Sequence, residues 1–380
     1  MANASLPIYL DHNASTPILP EVLDAMLPYL RDRYGNPSSA HHYGRVSRQA
    51  VELARQQVAT LIECEPDELY FTSGGTEANN LAIRGAAAAR PDRRCIVTSV
   101  IEHPATLEPC AFLQRNGYRV YHAPVDTLGR VSPVDVTAAL STEVLLLTIM
   151  HANSETGTLQ PIDELSGAAR EFGALIHSDA AQSVGKVPVS VRREQVDLMS
   201  IVGHKLYAPK GIGALYVRAG TKLEPLVRGA SHEKGLRPGT ENVAFIAGLG
   251  KACEIAMKDM DEEGQRIRRL RNQLWTLLAE SIPDMKLNGD PENRLPNTLN
   301  VRFPAVSGND LLTACPSVAA STGSACHANG ESASAVITAM GIPESEAIGS
   351  VRLSLGRQNT PEQITQAATA LITAWQQVKN

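Results

Sequence analysis

Between about residues 69 and 217 the chain alternates short apolar runs with longer stretches whose apolar positions recur at helical spacing. The short runs are "ELYFTS", "RCIVTS", "EVLLLTIM", "ALIHSD", "VDLMSIV" and "GALYVR"; among them lie "TEANNLAIRGAAAA", "PATLEPCAFLQRN" and "PIDELSGAAREF". Short runs that are apolar almost throughout read as strands covered on both faces, so the pattern predicts βαβ units around a mainly parallel sheet with helices on either side. In such an α/β fold ligands gather at the carboxyl ends of strands. The polar residues that follow each run therefore matter most.

Upstream, "QAVELARQQVATLI" has apolar residues near i, i+4 and i+7, which predicts an amphipathic helix over 47–62. Residues 251–278 form a charged helical stretch long enough to link two domains, which puts a boundary near 255. Beyond it, "NTLNVRF", "SVAAST" and "SVRLSLG" read as short strands and "PEQITQAATALITAWQQV" as a closing amphipathic helix, an α+β pattern. No internal repeat is present.

Composition narrows the classes. A length of 380 residues favours about two domains, and 43% apolar with 20% charged residues excludes disorder and fibrous repeats. The net charge of -5 gives no general pull toward nucleic acid or anionic lipid, so no direct nucleic-acid binding is expected. The opening "MANASLPIYLDHN" lacks a secretory signal and no run suits a membrane helix, which makes cytoplasmic residence the expectation. Six cysteines without CxxC pairs suit reduced thiols, mostly in the core, and no metal site.

Lys205 stands in "SIVGHKLYAPKGIG", after an apolar run and before a tight Pro/Gly loop. A lysine partly desolvated at a pocket wall becomes a nucleophilic amine able to form a Schiff base, and pyridoxal phosphate is the favoured carbonyl partner. That cofactor demands a phosphate cradle, an acid for its pyridine nitrogen and a group against its ring. "FTSGGTEANN" offers the cradle: Gly74 and Gly75 admit an anion to the amides of a helix opening near Thr76. Ordinary capping by Thr76 accounts for it equally well.

In "ALIHSDAAQSVGK", Asp179 ends a run and can keep a pyridinium protonated, while Gln182 can reach the neighbouring ring oxygen. In isolation Asp179 is as readily a helix N-cap. His103 in "SVIEHPAT" can stack on the ring or shuttle protons. Cys326, in the small and polar stretch "ASTGSACHANGESAS", suits a mobile or exposed loop where a thiolate acts as nucleophile, although free cysteines are usually buried and inert. Arg352 in "GSVRLSLGR" can grip a carboxylate with a bidentate fork, or else form a surface ion pair.

As a set, these motifs resemble the fold-type I pyridoxal-phosphate enzymes, and among them the NifS-type cysteine desulfurases of the class V aminotransferase family. "YLDHNASTP", "YGNPSSAHHYGR", "ETGTLQPI", "RPGTENV" and "GSAC" extend the likeness over nearly the whole chain. The resemblance implies a large cofactor-binding domain over 15–255 and a small α+β domain built from 1–14 and 256–380. It implies Lys205 as the Schiff-base lysine and base, His103 on the ring, Asp179 at the pyridine nitrogen and Gln182 at the ring oxygen. Gly75, Thr76 and His204 would hold the phosphate, with Thr240 supplied by the second subunit of a homodimer. Asn13 and Arg352 would bind L-cysteine. Cys326 would take its sulfur as a persulfide, release L-alanine and pass the sulfur to an acceptor protein for cofactor assembly or nucleic-acid sulfur modification.

Two positions depart from the pattern. Ser154 stands where the family commonly has an asparagine that bonds the cofactor's ring oxygen, and Val202 replaces a serine that donates to the phosphate. Weaker cofactor retention or an altered ring pKa is expected from these losses. "IVGHK" and "GSACH" are also spellings of selenocysteine lyases, which leaves sulfur and selenium as alternative substrates. An aminotransferase in which Cys326 is incidental, or a non-catalytic scaffold of this fold, are the other readings.

Overall fold

A computed structural model describes residues 6–323 and 333–379. The chain opens with β1 (Ile8–Tyr9), followed by helices α1 (Pro20–Arg31) and α2 (His42–Ile62). The second begins five residues before the periodic segment because His41 caps it, accepting from Gly44 N–H. Next come β2 (Leu69–Thr72), α3 (Gly75–Ala89), β3 (Cys95–Ser99), α4 (Pro104–Arg115), β4 (Arg119–Ala123), α5 (Pro133–Ala139), β5 (Val144–Thr148), α6 (Ile162–Glu171), β6 (Leu175–Asp179), β7 (Leu198–Val202) and β8 (Gly213–Val217). Strand β4 escapes the apolar pattern because its residues are mostly exposed at the sheet's edge.

These seven strands form one sheet in the order β2-β8-β7-β6-β5-β3-β4. β8 runs antiparallel to both its neighbours and every other pairing is parallel. Because β7 returns directly through β8, with Val202 opposite Gly213, the loop 203–212 hangs from the sheet's carboxyl edge. Gly213 has no room for a side chain: a Cβ there would sit 2.6 Å from Ile201 O and 2.8 Å from Gly74 Cα. The hairpin is thereby pressed onto the turn that opens α3.

Helix α7 (Val243–Ser281) runs unbroken through the expected boundary near 255. Its first half, through Ala256, packs into the core on one face of the large sheet, and from Ile267 onward it packs into a second core. Its charged middle lies between these two buried stretches. After α7 come β9 (Lys286–Asn288), β10 (Thr298–Arg302), α8 (Gly308–Ala314), β11 (Val318–Ala319), α9 (Ala335–Ala339), α10 (Glu344–Ala347), β12 (Ser350–Ser354) and α11 (Pro361–Lys379); these close the second core except α9 and α10, which hold a small separate cluster of Ile337, Met340 and Ala347. β12, β10 and β9 form an antiparallel sheet, and β1 pairs in parallel with β11, which brings the N-terminal segment and Leu10 into this second core.

One buried ion pair fastens α2 to the large sheet. Arg55 donates to both carboxylate oxygens of Glu233, at 2.9 and 2.6 Å, and to Leu69 O at 2.7 Å, while Glu233 also accepts from Phe71 N–H. Removing one partner strands the other charge away from water. Arg55→Met is expected to lower stability by about 3–5 kcal/mol; an unchanged urea midpoint would contradict this role.

Candidate active site

The carboxyl ends of β2, β3, β5, β6 and β7 all lie on one edge of the sheet, and a cavity of about 310 Å³ opens there. That volume is in the range of small-molecule sites, roughly 300–1,000 Å³. Eleven residues singled out above line it: Asn13, Gly75, Thr76, His103, Ser154, Asp179, Gln182, Val202, His204, Lys205 and Arg352. Thr240 lines a separate hollow with Tyr34, and Cys326 lies outside the described residues.

Each position follows from local structure. Lys205 ends a 3-10 turn after β7, and its Nζ donates to the carbonyls of Asn13 and Ala14 at 2.6 and 2.7 Å. His204 beside it is desolvated and faces the charges of Lys205 and Lys210, which lower its pKa to about 4 and keep the ring neutral. His103 caps α4, its Nδ1 accepting from Ala105 N–H, so the ring carries its proton on Nε2. Burial lowers its pKa, outweighing the opposite pull of Asp179.

Asp179 is buried at the last position of β6. Its carboxylate accepts from Asn79 Nδ2 at 2.6 Å and Ala181 N–H at 3.0 Å. Asn79 was not singled out from the sequence, although it lies one helical turn beyond Gly75 in "GGTEANN" and so shares its face of α3. Gly75 opens that helix; a Cβ there would meet Val202 Cγ2 at 2.6 Å, so only glycine fits between the cradle and β7. Val202 thus presents methyl groups to the cavity wall where a hydroxyl would donate.

Arg352, almost fully buried on β12, donates to Asp11 Oδ1 at 2.8 Å and to Ser154 O at 3.1 Å. Asn13 donates to the same Ser154 carbonyl and to Thr298 Oγ1. Ser154 therefore ties both residues through its backbone, while its side chain is the short one anticipated above. A second hollow of about 420 Å³ adjoins the cavity, sharing His103 and Ser154. Gly323 and Ala333, which bracket the segment containing Cys326, both line it.

Comparison with known proteins shows the family. The aminotransferase class-V family model matches residues 8–366. The cysteine desulfurase IscS of Dictyoglomus turgidum is 47% identical over 360 residues, covering 94% of this chain and 91% of that protein. The chain belongs to the class-V aminotransferases, as a pyridoxal-phosphate-dependent cysteine desulfurase. Among solved structures, a NifS-like protein superposes with a TM-score of 0.91 at 34% identity, covering 97% of this chain and 99% of the other. SspA in complex with cysteine superposes at 0.80 with 35% identity, over 92% and 98% of the two chains.

The desulfurase's residues fit the cofactor. A buried carboxylate held only by neutral donors suits a protonated pyridine nitrogen, and a glycine-opened helix start suits a phosphate. Cys64, Cys110, Cys253 and Cys315 are buried and suit a passive role, and burial pushes the Cys64 and Cys110 thiols up to about 12; Cys95 is half-buried at the start of β3, its thiol also raised by burial.

Two measurements follow. Replacing Ser154 with Asn should tighten cofactor retention or move the pH midpoint of the bound cofactor's visible absorption; no change in either would remove Ser154 from the account. Stability should also fall on acidification. His12, His177 and His204 have pKa values lowered from 6.5 to about 4, mainly by burial, so below 6.5 the unfolded chain binds protons that the folded chain refuses. Each proton of difference is worth about 1.4 kcal/mol per pH unit. Buried Glu102, raised from 4.5 to about 8, acts oppositely, its contribution being lost as pH rises through that window. Three histidines outweigh one carboxyl, so the urea midpoint should be lower at pH 5 than at pH 7; a higher one would contradict these assignments.

Proposed function

We propose that Lys205, Asp179, Gln182, His103, Gly75, Thr76, His204 and Ser154 hold pyridoxal phosphate, that Asn13 and Arg352 hold L-cysteine, and that Cys326 takes the sulfur. The convergence of ten of these residues on one cavity at the sheet's carboxyl edge carries the reading. When bound, the cofactor supplies an aldehyde for an amine and a ring that accepts the electron pair left when a proton leaves the substrate's α-carbon.

The chain's own groups do the rest. Asp179, fixed by Asn79 and Ala181, keeps the pyridine nitrogen protonated. Arg352, steadied by Asp11 and the Ser154 carbonyl, offers its remaining N–H groups to the substrate carboxylate. Lys205 Nζ, adjacent to the N-terminal carbonyls, takes the α-proton and later returns it. The Cys326 thiolate forms an S–S bond to the substrate sulfur as the C–S bond breaks; the bonding pair stays with the carbon skeleton, which takes up a proton and leaves as L-alanine. Burial of Cys64, Cys110, Cys253 and Cys315, and the place of the half-buried Cys95 at the start of β3 rather than at the cavity, support Cys326 as the acceptor, as does the position of Gly323 and Ala333 at the adjoining hollow. The persulfide then passes to a protein acceptor for cofactor assembly or nucleic-acid sulfur modification.

A homodimer in the cytoplasm completes the proposal. Leu23, Leu27, Leu30, Tyr34 and Tyr43 are exposed, and Leu30 and Tyr34 line the hollow that contains Thr240, which supports Thr240 reaching a second copy. Among the described residues no helix is long and apolar enough to cross a membrane. We also infer a large domain over 15–255 and a small one from 1–14 and 256–380, supported by the two cores that α7 joins.

Incubation with L-cysteine should release alanine and add one sulfur to Cys326, read by peptide mass. Lys205→Ala should abolish both; Cys326→Ala should abolish the persulfide and persulfide-dependent turnover. Full sulfur release from either variant would end this reading.

A further inference from the structure

Lys186 was not singled out from the sequence, and its surroundings are unlike those of a surface lysine. It lies at i+4 from Gln182 in "QSVGK", and its Nζ donates to Gln182 Oε1 at 3.0 Å and to Asn13 Oδ1 at 3.3 Å. Both acceptors are side-chain amides, which expose a carbonyl at one end and two N–H donors at the other. An ammonium can only donate, so it selects the carbonyl end of each amide and forbids the flipped arrangement.

The consequence for Gln182 is specific. With Oε1 held by Lys186, its Nε2 is turned the other way, where one N–H donates to Asn13 O at 3.0 Å and the second is left for the cavity that Gln182 lines. Asn13 is fixed likewise: its Oδ1 accepts from Lys186 and Asn297, so its Nδ2 faces Ser154 O and Thr298 Oγ1. Two amides that could each sit either way are thereby given one orientation by a single cation.

We propose that Lys186 is a positioning residue of the desulfurase reaction, locking the amides of Gln182 and Asn13 so that Gln182 keeps an N–H directed at the cofactor's ring oxygen. This rests on the assignment of Gln182 to that oxygen. The surroundings make the lysine responsive as well as rigid. Burial first, then the nearby charges of Lys205 and Arg352, lower its pKa from 10.5 to about 7, so the donor-only lock is complete below that pH and loosens as the amine loses its proton above it. Behind it is a small void of about 40 Å³, lined also by His12, Tyr207 and Glu263, with room for a longer donor-only side chain.

Three variants of the full-length holoenzyme test this: Lys186→Met, Lys186→Arg and Gln182→Leu, with the Lys186→Met/Gln182→Leu double. The readouts are affinity for pyridoxal phosphate added to the apoprotein and the pH midpoint of the bound cofactor's absorption. Lys186→Met should weaken cofactor binding by about tenfold and move the midpoint in the same direction as Gln182→Leu, while Lys186→Arg keeps both near the parent values. The double variant should be no worse than Gln182→Leu alone, because both changes remove one donor. If Gln182→Leu moves neither readout, the Gln182 assignment fails and the proposal with it. If Gln182→Leu moves them and Lys186→Met does not, or if the two losses simply add, the proposal alone is overturned.

Discussion

Two short hydrogen bonds, from Lys205 Nζ to the carbonyls of Asn13 and Ala14, join the sheet's carboxyl edge to the N-terminal segment. The rest of the site is arranged around that junction. Asn13 O also receives Gln182, and its side chain reaches Lys186, Asn297, Thr298 and the Ser154 carbonyl, to which Arg352 is tied as well. A residue from the start of the chain thus connects a lysine on the large sheet with an arginine on the small one. The short pairing of β1 with β11 is what carries residue 13 to this position. Few side chains would keep their places if that segment detached.

Much of this was legible because the fold puts its chemistry where the sequence pattern points. Strands covered on both faces announce themselves as apolar runs, and Asp179 ends one of them while His103 and Lys205 follow within a few residues of two others. What stayed hidden had a common cause: its significance depends on non-local contacts. Asn79 reads as one more polar residue in a helix until β6 brings Asp179 to it across 100 residues. Lys186 follows glycine after a turn and resembles any solvated lysine until Asn13 arrives from 173 residues away. The antiparallel course of β8 leaves no mark on a five-residue apolar run, because side-chain alternation is the same in either direction. The long helix α7 reads as a charged linker because its buried ends belong to two different cores.

Charge gives the cavity its selectivity. Lys205, Lys186 and Arg352 crowd one side, close enough that the first and last help depress the proton affinity of the second. Two nearby carboxylates are already engaged, Asp11 with Arg352 and Asp179 with Asn79. His12 and His204, which could add further positive charge, are desolvated and kept neutral. A surplus of cations in a partly dry cavity is unfavourable by itself and becomes favourable when an anion enters. Such a cavity is poised for ligands that carry a phosphate and a carboxylate.

The two departures from the family pattern fall on the same economy of donors. Val202 replaces a hydroxyl donor with methyl groups packed against Gly75, and Ser154 keeps only its backbone carbonyl in the network. Where side-chain donors are fewer, the orientation of those that remain matters more, since a flipped amide then turns an attractive contact into two facing acceptors. Gln182 lines this cavity with one N–H on Asn13 O and its Oε1 on Lys186. A cation behind an amide is a more robust fixative than a second amide, which can turn together with the first. The retention of a costly, half-desolvated lysine at the base of "AAQSVGK" is physically reasonable on that ground: it stabilises one orientation of its neighbours rather than the fold as a whole.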